Sequence, residues 1–206
     1  MTKKISQAVV KRLPRYYRYL EILEKEGESR VSSGKLAEML DITASQVRQD
    51  FCNFGGFGQQ GYGYDVKKLK NELKKIIGLD KKYNMIIIGA GHIGSALAGY
   101  VGFRSEGFEV KKLFDVRDDL KEVNGIEVAN IDTLGEYLSE NDIDIAVLTV
   151  QSSVAPAVSD KLVECGIKNI WNFAPIDLNV PADVIVENIS MSESLYVLSY
   201  RMNNVD

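Results

Sequence analysis

Up to residue 82 apolar side chains recur at helical spacing, and beyond it they gather into short continuous runs, so the pattern divides the chain in two. Pro14 suits the first turn of a helix, after which Tyr16, Tyr19, Leu20 and Leu23 share one side until Gly27 ends it. A shorter helix begins near Ser33 and carries Leu36, Ala37 and Leu40. Asp41-Ile42-Thr43 makes a turn. Thr43 with Gln46 fits a capping box, which predicts a third helix over Ala44–Asn53. Residues 54–64 alternate glycine with aromatics, as a tight β-ribbon would, with Gln59-Gln60-Gly61 at its tip. Asp65 then caps a helix with Val66, Leu69, Leu73 and Ile76 on one face and lysines on the other. In the second half, Met85–Ile88 and Glu109–Phe114 read as strands. More are expected near Ile126–Ala129, Ile143–Val150, Asn169–Phe173 and Val184–Ile189, with helices over Thr133–Glu140 and Pro156–Cys165 between them. The expected fold is α/β: a winged helix-turn-helix domain with a linker helix over residues 1–82, and a doubly wound Rossmann domain over 83–206.

Charge follows the same division. Residues 1–82 hold 17 Lys+Arg against 10 Asp+Glu, a net of +7, and the remainder holds 8 against 19, a net of −11. A basic small domain points to nucleic acid, although a solvated lysine-rich surface produces the same arithmetic. No run approaches the roughly 20 apolar residues of a membrane span, and Met1-Thr2-Lys3-Lys4 leads into no signal-peptide core, so a cytoplasmic protein is expected. Cys52 and Cys165 fall in different domains and lack the spacing of a metal site; two mostly buried thiols are expected.

The chemistry is carried first by Gly89-Ala90-Gly91-His92-Ile93-Gly94, which directly follows the run Met85–Ile88, with Asp115 closing the next strand about twenty residues on. Gly89 allows the tight turn, Gly91 lets backbone approach a pyrophosphate, and Gly94 lets the helix pack on the sheet. Asp115 is placed to accept hydrogen bonds from both ribose hydroxyls, favouring NAD over a 2′-phosphorylated cofactor, while Arg117 lies close enough to blur that choice. Ligands sit beyond the carboxyl ends of such strands, which adds Thr149, Asn172 and Phe173 as candidates, though loop residues of this kind are often merely caps.

In a helix-turn-helix the first residues of the second helix face base edges, and here they are Ser45, Gln46, Arg48 and Gln49. Arg suits guanine and Gln adenine; both also suit any exposed helix. Gly61, Tyr62, Gly63 and Tyr64 would form the wing, its glycines approaching phosphates, unless the stretch is a linker. A small dehydrogenase is the competing function. Against it, His92 is the only histidine and sits in the glycine turn, and about 120 residues barely complete a nucleotide fold. The last segment, Ser192–Asn203, has Leu195, Leu198 and Met202 at helical spacing beside Tyr196 and Tyr200, and either packs on its own sheet or crosses to a second subunit.

Lys11-Arg12-Leu13-Pro14, Tyr16-Tyr17-Arg18, Arg30-Val31-Ser32-Ser33, Gln46-Val47-Arg48-Gln49-Asp50, Gly61-Tyr62-Gly63-Tyr64, the glycine turn and Asn172-Phe173-Ala174-Pro175 together resemble the redox-sensing transcriptional repressor Rex family along nearly the whole chain. The resemblance implies a homodimer with a swapped terminal helix, bound to a palindromic double-stranded DNA operator and released by NADH, with NADH and NAD+ as allosteric ligands and no catalysis. It adds Tyr100, on the helix after the glycine turn, beside the nicotinamide, and Arg12 and Arg15 to the DNA-contact set. Where many members have Lys or Arg at the wing tip this chain has Gln59 and Gln60. Where some have an aspartate that pairs with an arginine of the first domain it has Ser190, so that Arg12 is left without that partner.

Overall fold

The computed structural model describes residues 5–57 and 62–204. They fall into two compact units, Met1–Lys81 and Lys82–Asp206.

In the first unit, α1 (Gln7–Lys25) starts at Ser6, whose Oγ accepts the Val9 N–H at 3.4 Å. Pro14 therefore lies inside the helix and not in its first turn. Its ring removes one N–H from the ladder; burial of Leu13, Tyr16, Leu20 and Leu23 along one face carries the helix through. Strand β1 (Arg30–Val31) leads into α2 (Ser33–Leu40), and Asp41 takes the left-handed conformation that turns the chain. Thr43 caps α3 (Ala44–Cys52), its Oγ1 accepting the Gln46 N–H at 3.2 Å. Only this half of the expected capping box forms, because the Gln46 side chain turns instead to Asp50.

The glycine–aromatic stretch pairs differently from the expected self-contained ribbon. Strand β2 (Tyr64–Asp65) runs antiparallel to β1, Val31 opposite Tyr64, and Gly58, Gln59, Gln60 and Gly61 lie outside the described residues. Gly63 is needed here for the fold: its φ is +69°, and a Cβ would stand 2.6 Å from the Val31 carbonyl oxygen. Asp65 caps α4 (Val66–Ile77), and the unit closes around Tyr16, Phe51 and Tyr64, whose rings meet at 4.8 and 5.1 Å.

The second unit comprises β3 (Tyr83–Ile88), α5 (His92–Ala98), α6 (Gly102–Ser105), β4 (Phe108–Asp115), β5 (Glu122–Val123), β6 (Ile126–Asn130), α7 (Leu134–Glu140), β7 (Ile145–Leu148), α8 (Ala155–Glu164), β8 (Asn169–Asn172), β9 (Ile185–Asn188) and α9 (Met191–Asn203). The sheet order is β5-β6-β4-β3-β7-β8-β9, parallel except for β5. Met85 and Ile87 enter the core on one face and Ile86 and Ile88 that on the other, which is why the strand reads as one apolar run. From β3 the chain builds outward to β4 and β6, then returns to β7 on the other side, leaving a switch point between β3 and β7. The sequence reading missed β5, although Asn124-Gly125, both at positive φ, is the strongest short hairpin signal in this half.

Two expectations change, and one of the two alternatives for the last helix is removed. The helix after the glycine turn ends at Ala98, so Tyr100 sits in the break before α6 and is 56% exposed. Cys52 is exposed and Cys165 half-buried. No residue of α9 is buried, so it does not pack on its own sheet. Among the described residues no helix is long and apolar enough to cross a membrane.

Two glycines of the turn are demanded by packing. Gly89 has φ +98° and lies against the Thr149 carbonyl, and a Cβ on Gly94 would stand 1.9 Å from the Gly89 carbonyl oxygen. Overpacking of this kind costs about 1–3 kcal/mol. Gly94→Ala is accordingly expected to lower the urea midpoint of the unit that holds Trp171, followed by tryptophan fluorescence; an unchanged midpoint would refute the close approach of α5 to the sheet.

Candidate functional site

Gly91, between those two, differs from both. It has an ordinary φ of −75° as N-cap of α5, and a Cβ added there would meet nothing within 4 Å. Neither backbone nor packing asks for glycine at this point. The room it leaves suits an incoming group, and a pyrophosphate fits the donors of a glycine turn. His92 and Ile93 are exposed beside it, whereas Ala90 is buried. Thr149 is committed to the turn: its Oγ1 reaches the carbonyl oxygens of Gly89 at 2.7 Å and Ile88 at 3.0 Å.

Asp115 ends β4 facing the turn. Its Oδ2 accepts the Ala90 N–H at 2.7 Å, and Oδ1 accepts the Arg117 backbone N–H at 3.0 Å and Nε at 2.9 Å. Arg117 Nη2 also donates to Asp115 Oδ2 at 3.2 Å and to the Ala90 carbonyl at 2.8 Å. The Arg117 hydrogen bond, with the two backbone N–H groups, holds this carboxyl below the usual aspartate range against the opposing effect of burial. The fingerprint acid thus belongs first to its own turn.

Asn172 is fully buried and not available at the surface. Its Nδ2 donates to the Ile176 carbonyl and to Asn188 Oδ1, both at 2.8 Å, and its Oδ1 accepts the Ala174 N–H, so it ties β8 to β9 and the following turn. Phe173 and Tyr100 are brought into one chain of rings. Tyr100 touches Phe103 (4.8 Å between centroids), Phe103 touches Trp171 (5.8 Å), and Trp171 touches Phe173 (4.7 Å). Sequence reasoning missed Phe103 and Trp171, which join the two candidates.

In the first unit the recognition helix is organised around a carboxylate that the sequence reading left without a role. Asp50 is fully buried; it accepts Arg12 Nε at 2.6 Å and Nη2 at 2.8 Å, Tyr16 Oη at 2.9 Å and Gln46 Nε2 at 2.8 Å. Arg12 therefore has an ionic partner inside its own unit, and Ser190 serves instead as N-cap of α9. Burial would raise the Asp50 pKa, but the hydrogen bonds from Arg12, Gln46 and Tyr16 prevail and hold it down. Burial and the bond to Asp50 raise that of Tyr16.

The other candidates are held more loosely. Arg48 and Gln49 are exposed, Arg48 donating to Ser33 Oγ at 3.1 Å, and Ser45 is exposed beside Thr43. Arg15 donates to the Leu40 carbonyl at 3.0 Å. Of the wing tyrosines, Tyr62 is 70% exposed and Tyr64 is 6% exposed, edge-on to Phe51. Tyr64 is therefore core rather than surface. Arg30, part of a resemblance motif but given no role of its own in the sequence, donates to the Tyr62 carbonyl at 2.9 Å with its guanidinium 5.9 Å from that ring. Gly61 lies outside the described residues.

A helix-turn-helix unit and a Rossmann unit with a complete glycine turn, carried on one chain, define a DNA-binding protein of the nucleotide-responsive class. Residues 4–52 match the family described as "Putative DNA-binding protein N-terminus" and residues 80–176 the one described as "CoA binding domain". The chain is 52% identical over 202 residues to the redox-sensing transcriptional repressor Rex of Thermoanaerobacter pseudethanolicus, covering 97% of this chain and 90% of that one. To the Rex protein of Clostridioides difficile it is 50% identical over 202 residues, covering 97% and 96%. The chain belongs to the redox-sensing transcriptional repressor Rex family. Among solved structures, the repressor RSP in complex with β-NAD+ and operator DNA is similar at a TM-score of 0.92 and 51% identity over 98% of this chain and 94% of that one. RSP in complex with β-NADH gives 0.91 and 48% over 98% and 95%. These relatives are regulators rather than enzymes, and the dehydrogenase alternative is not favoured.

Breaking a buried ion pair by removing one partner costs about 3–5 kcal/mol. Asp50→Ala is expected to destabilise the first unit by that order at pH 7. Because the folded-state pKa of Asp50 is depressed, its contribution is complete above the ordinary aspartate value and is lost as pH falls through the lower folded value. Urea unfolding of wild type and variant along an acid series should show the gap closing; equal stability at pH 7 would refute the role of the pair.

Proposed function

We propose that this chain is a cytoplasmic, homodimeric transcriptional repressor that binds a palindromic operator and is released when NADH occupies its Rossmann unit. The observation that carries this reading is the likeness, along 98% of the chain, to a Rex-family repressor solved with β-NAD+ and operator DNA. In the proposed assembly Arg48, Gln49, Ser45 and the carbonyl oxygen of Gln46 meet base edges, and Arg12, Arg15 and Tyr62 support or flank them; Gly61 completes the wing. Gly89, Ala90, Gly91, His92, Ile93 and Gly94 cradle the pyrophosphate, and Asp115 takes the ribose. Tyr100 and Phe173 line the nicotinamide end, with Thr149 and Asn172 holding the loops that carry them.

Dimerisation is supported by α9, on which Leu195, Tyr196, Leu198, Tyr200 and Met202 are all more than half exposed. A dimer must present its recognition helices roughly 34 Å apart, one turn of DNA, so a modest rotation on NADH binding breaks the fit at one half-site. An apolar nicotinamide pocket prefers the neutral reduced ring, since the oxidised ring's positive charge loses hydration there.

Two outcomes test this. Gly91→Ala keeps stability within about 1 kcal/mol, since its φ suits alanine, but weakens NADH binding by about tenfold or more by placing a methyl where the pyrophosphate approaches. Wild-type affinity for NADH in that variant would remove the pyrophosphate from Gly91. The coupling is tested on the intact protein by gel shift on a palindromic fragment, titrated in parallel with NADH and NAD+, and by NADH affinity with and without saturating operator. Linkage requires the two effects to be equal, typically about 5- to 150-fold. An NADH affinity indifferent to operator would overturn the sensor mechanism.

A further inference from the structure

The four N–H groups that Asp115 accepts, from Ala90 N and from Arg117 N, Nε and Nη2, fill the roughly four lone-pair positions a carboxylate offers. A ribose that bonds Asp115 through its hydroxyls must therefore take a place now held. The backbone donors are fixed by the turn and the strand end. The guanidinium is not: the Arg117 side chain is 49% exposed and reaches the carboxylate from two residues downstream.

When Arg117 yields to a ribose it loses Asp115 and the Ala90 carbonyl together. A hydroxyl offers that cation little in exchange. A phosphate ester on the 2′ position offers a great deal, because a guanidinium fork binds phosphate through paired charge-assisted bonds. The usual objection, repulsion between a 2′-phosphate and the fingerprint acid, is weakened here by the cation bound to that acid. The geometry points to a dinucleotide site that takes NADPH as well as NADH, with Arg117 the specificity-determining residue: it competes with an unmodified ribose for Asp115 and binds the 2′-phosphate of the phosphorylated one. This rests on the dinucleotide reading of the Rossmann unit. The repressor then answers to both reduced nicotinamide pools.

The test is equilibrium titration of the full-length protein with NADH and with NADPH, for wild type, Arg117→Ala and Arg117→Lys. The wild type binds NADPH within about tenfold of NADH. Arg117→Ala loses about tenfold or more for NADPH while binding NADH at least as tightly, and Arg117→Lys, which keeps the charge, recovers part of the loss. NADPH binding also falls more steeply with salt than NADH binding does. A wild type that binds NADH but takes NADPH more weakly than this overturns the inference, as does a loss in Arg117→Ala that is equal for both nucleotides, the mark of a structural role. A wild type that binds neither overturns the dinucleotide reading itself.

Discussion

An ionised carboxylate cannot be buried without donors around it, since the hydration it loses is worth several kcal/mol. Both candidate sites are built on that constraint. Asp50 draws Arg12, Tyr16 and Gln46 onto one point, fixing α1 against α3. Asp115 draws the Ala90 N–H and Arg117, fixing the glycine turn against the end of β4. The acids lie beside the surfaces where ligands are expected, so the same bonds that stabilise each unit also set which side chains remain free to meet DNA or nucleotide.

Gln46 illustrates the consequence. A carboxylate can only accept, so the amide of Gln46 must turn its NH2 to Asp50. What the side chain presents elsewhere is chiefly its carbonyl oxygen, an acceptor suited to an exocyclic amino group on a base. Asp50 thus touches no ligand in this scheme and still shapes recognition, and Arg12 serves the helix that reads rather than reading itself.

The order and type of most elements were legible because period and punctuation agree: continuous apolar runs for strands covered on both faces, helical spacing elsewhere, and Ser, Thr or Asp at helix starts. Pro14 misled because proline is read as a helix start, whereas here Ser6 already supplies the cap and burial of the neighbouring face tolerates the lost bond. The wing misled because alternation shows that a stretch is extended without showing its partner, and β2 pairs with Arg30–Val31, distant in sequence. In the sites, residue types were legible and allegiances were not. Thr149, Asn172 and Tyr64 have the right chemistry for ligand contact and spend it inside the fold. Only three-dimensional proximity reveals that, as it reveals the rings of Phe103 and Trp171 between Tyr100 and Phe173.

The charge division then assigns different physics to the two ligands. A net of +7 on residues 1–82 attracts the phosphate backbone from a distance, with a strength that salt screens and that carries no sequence information. In the proposed assembly, base selection comes from the few exposed groups at the start of α3. A net of −11 on the remainder repels an anionic dinucleotide at long range, so affinity for it has to be short-ranged. In the proposed site it arises from N–H groups at the glycine turn and from the space at Gly91, while Arg117, bound to Asp115, acts only on a 2′-phosphate. A site that works against its own field in this way selects by short-range contacts rather than by long-range attraction. That is the property a sensor needs if it is to respond to one class of nucleotide among the many anions around it.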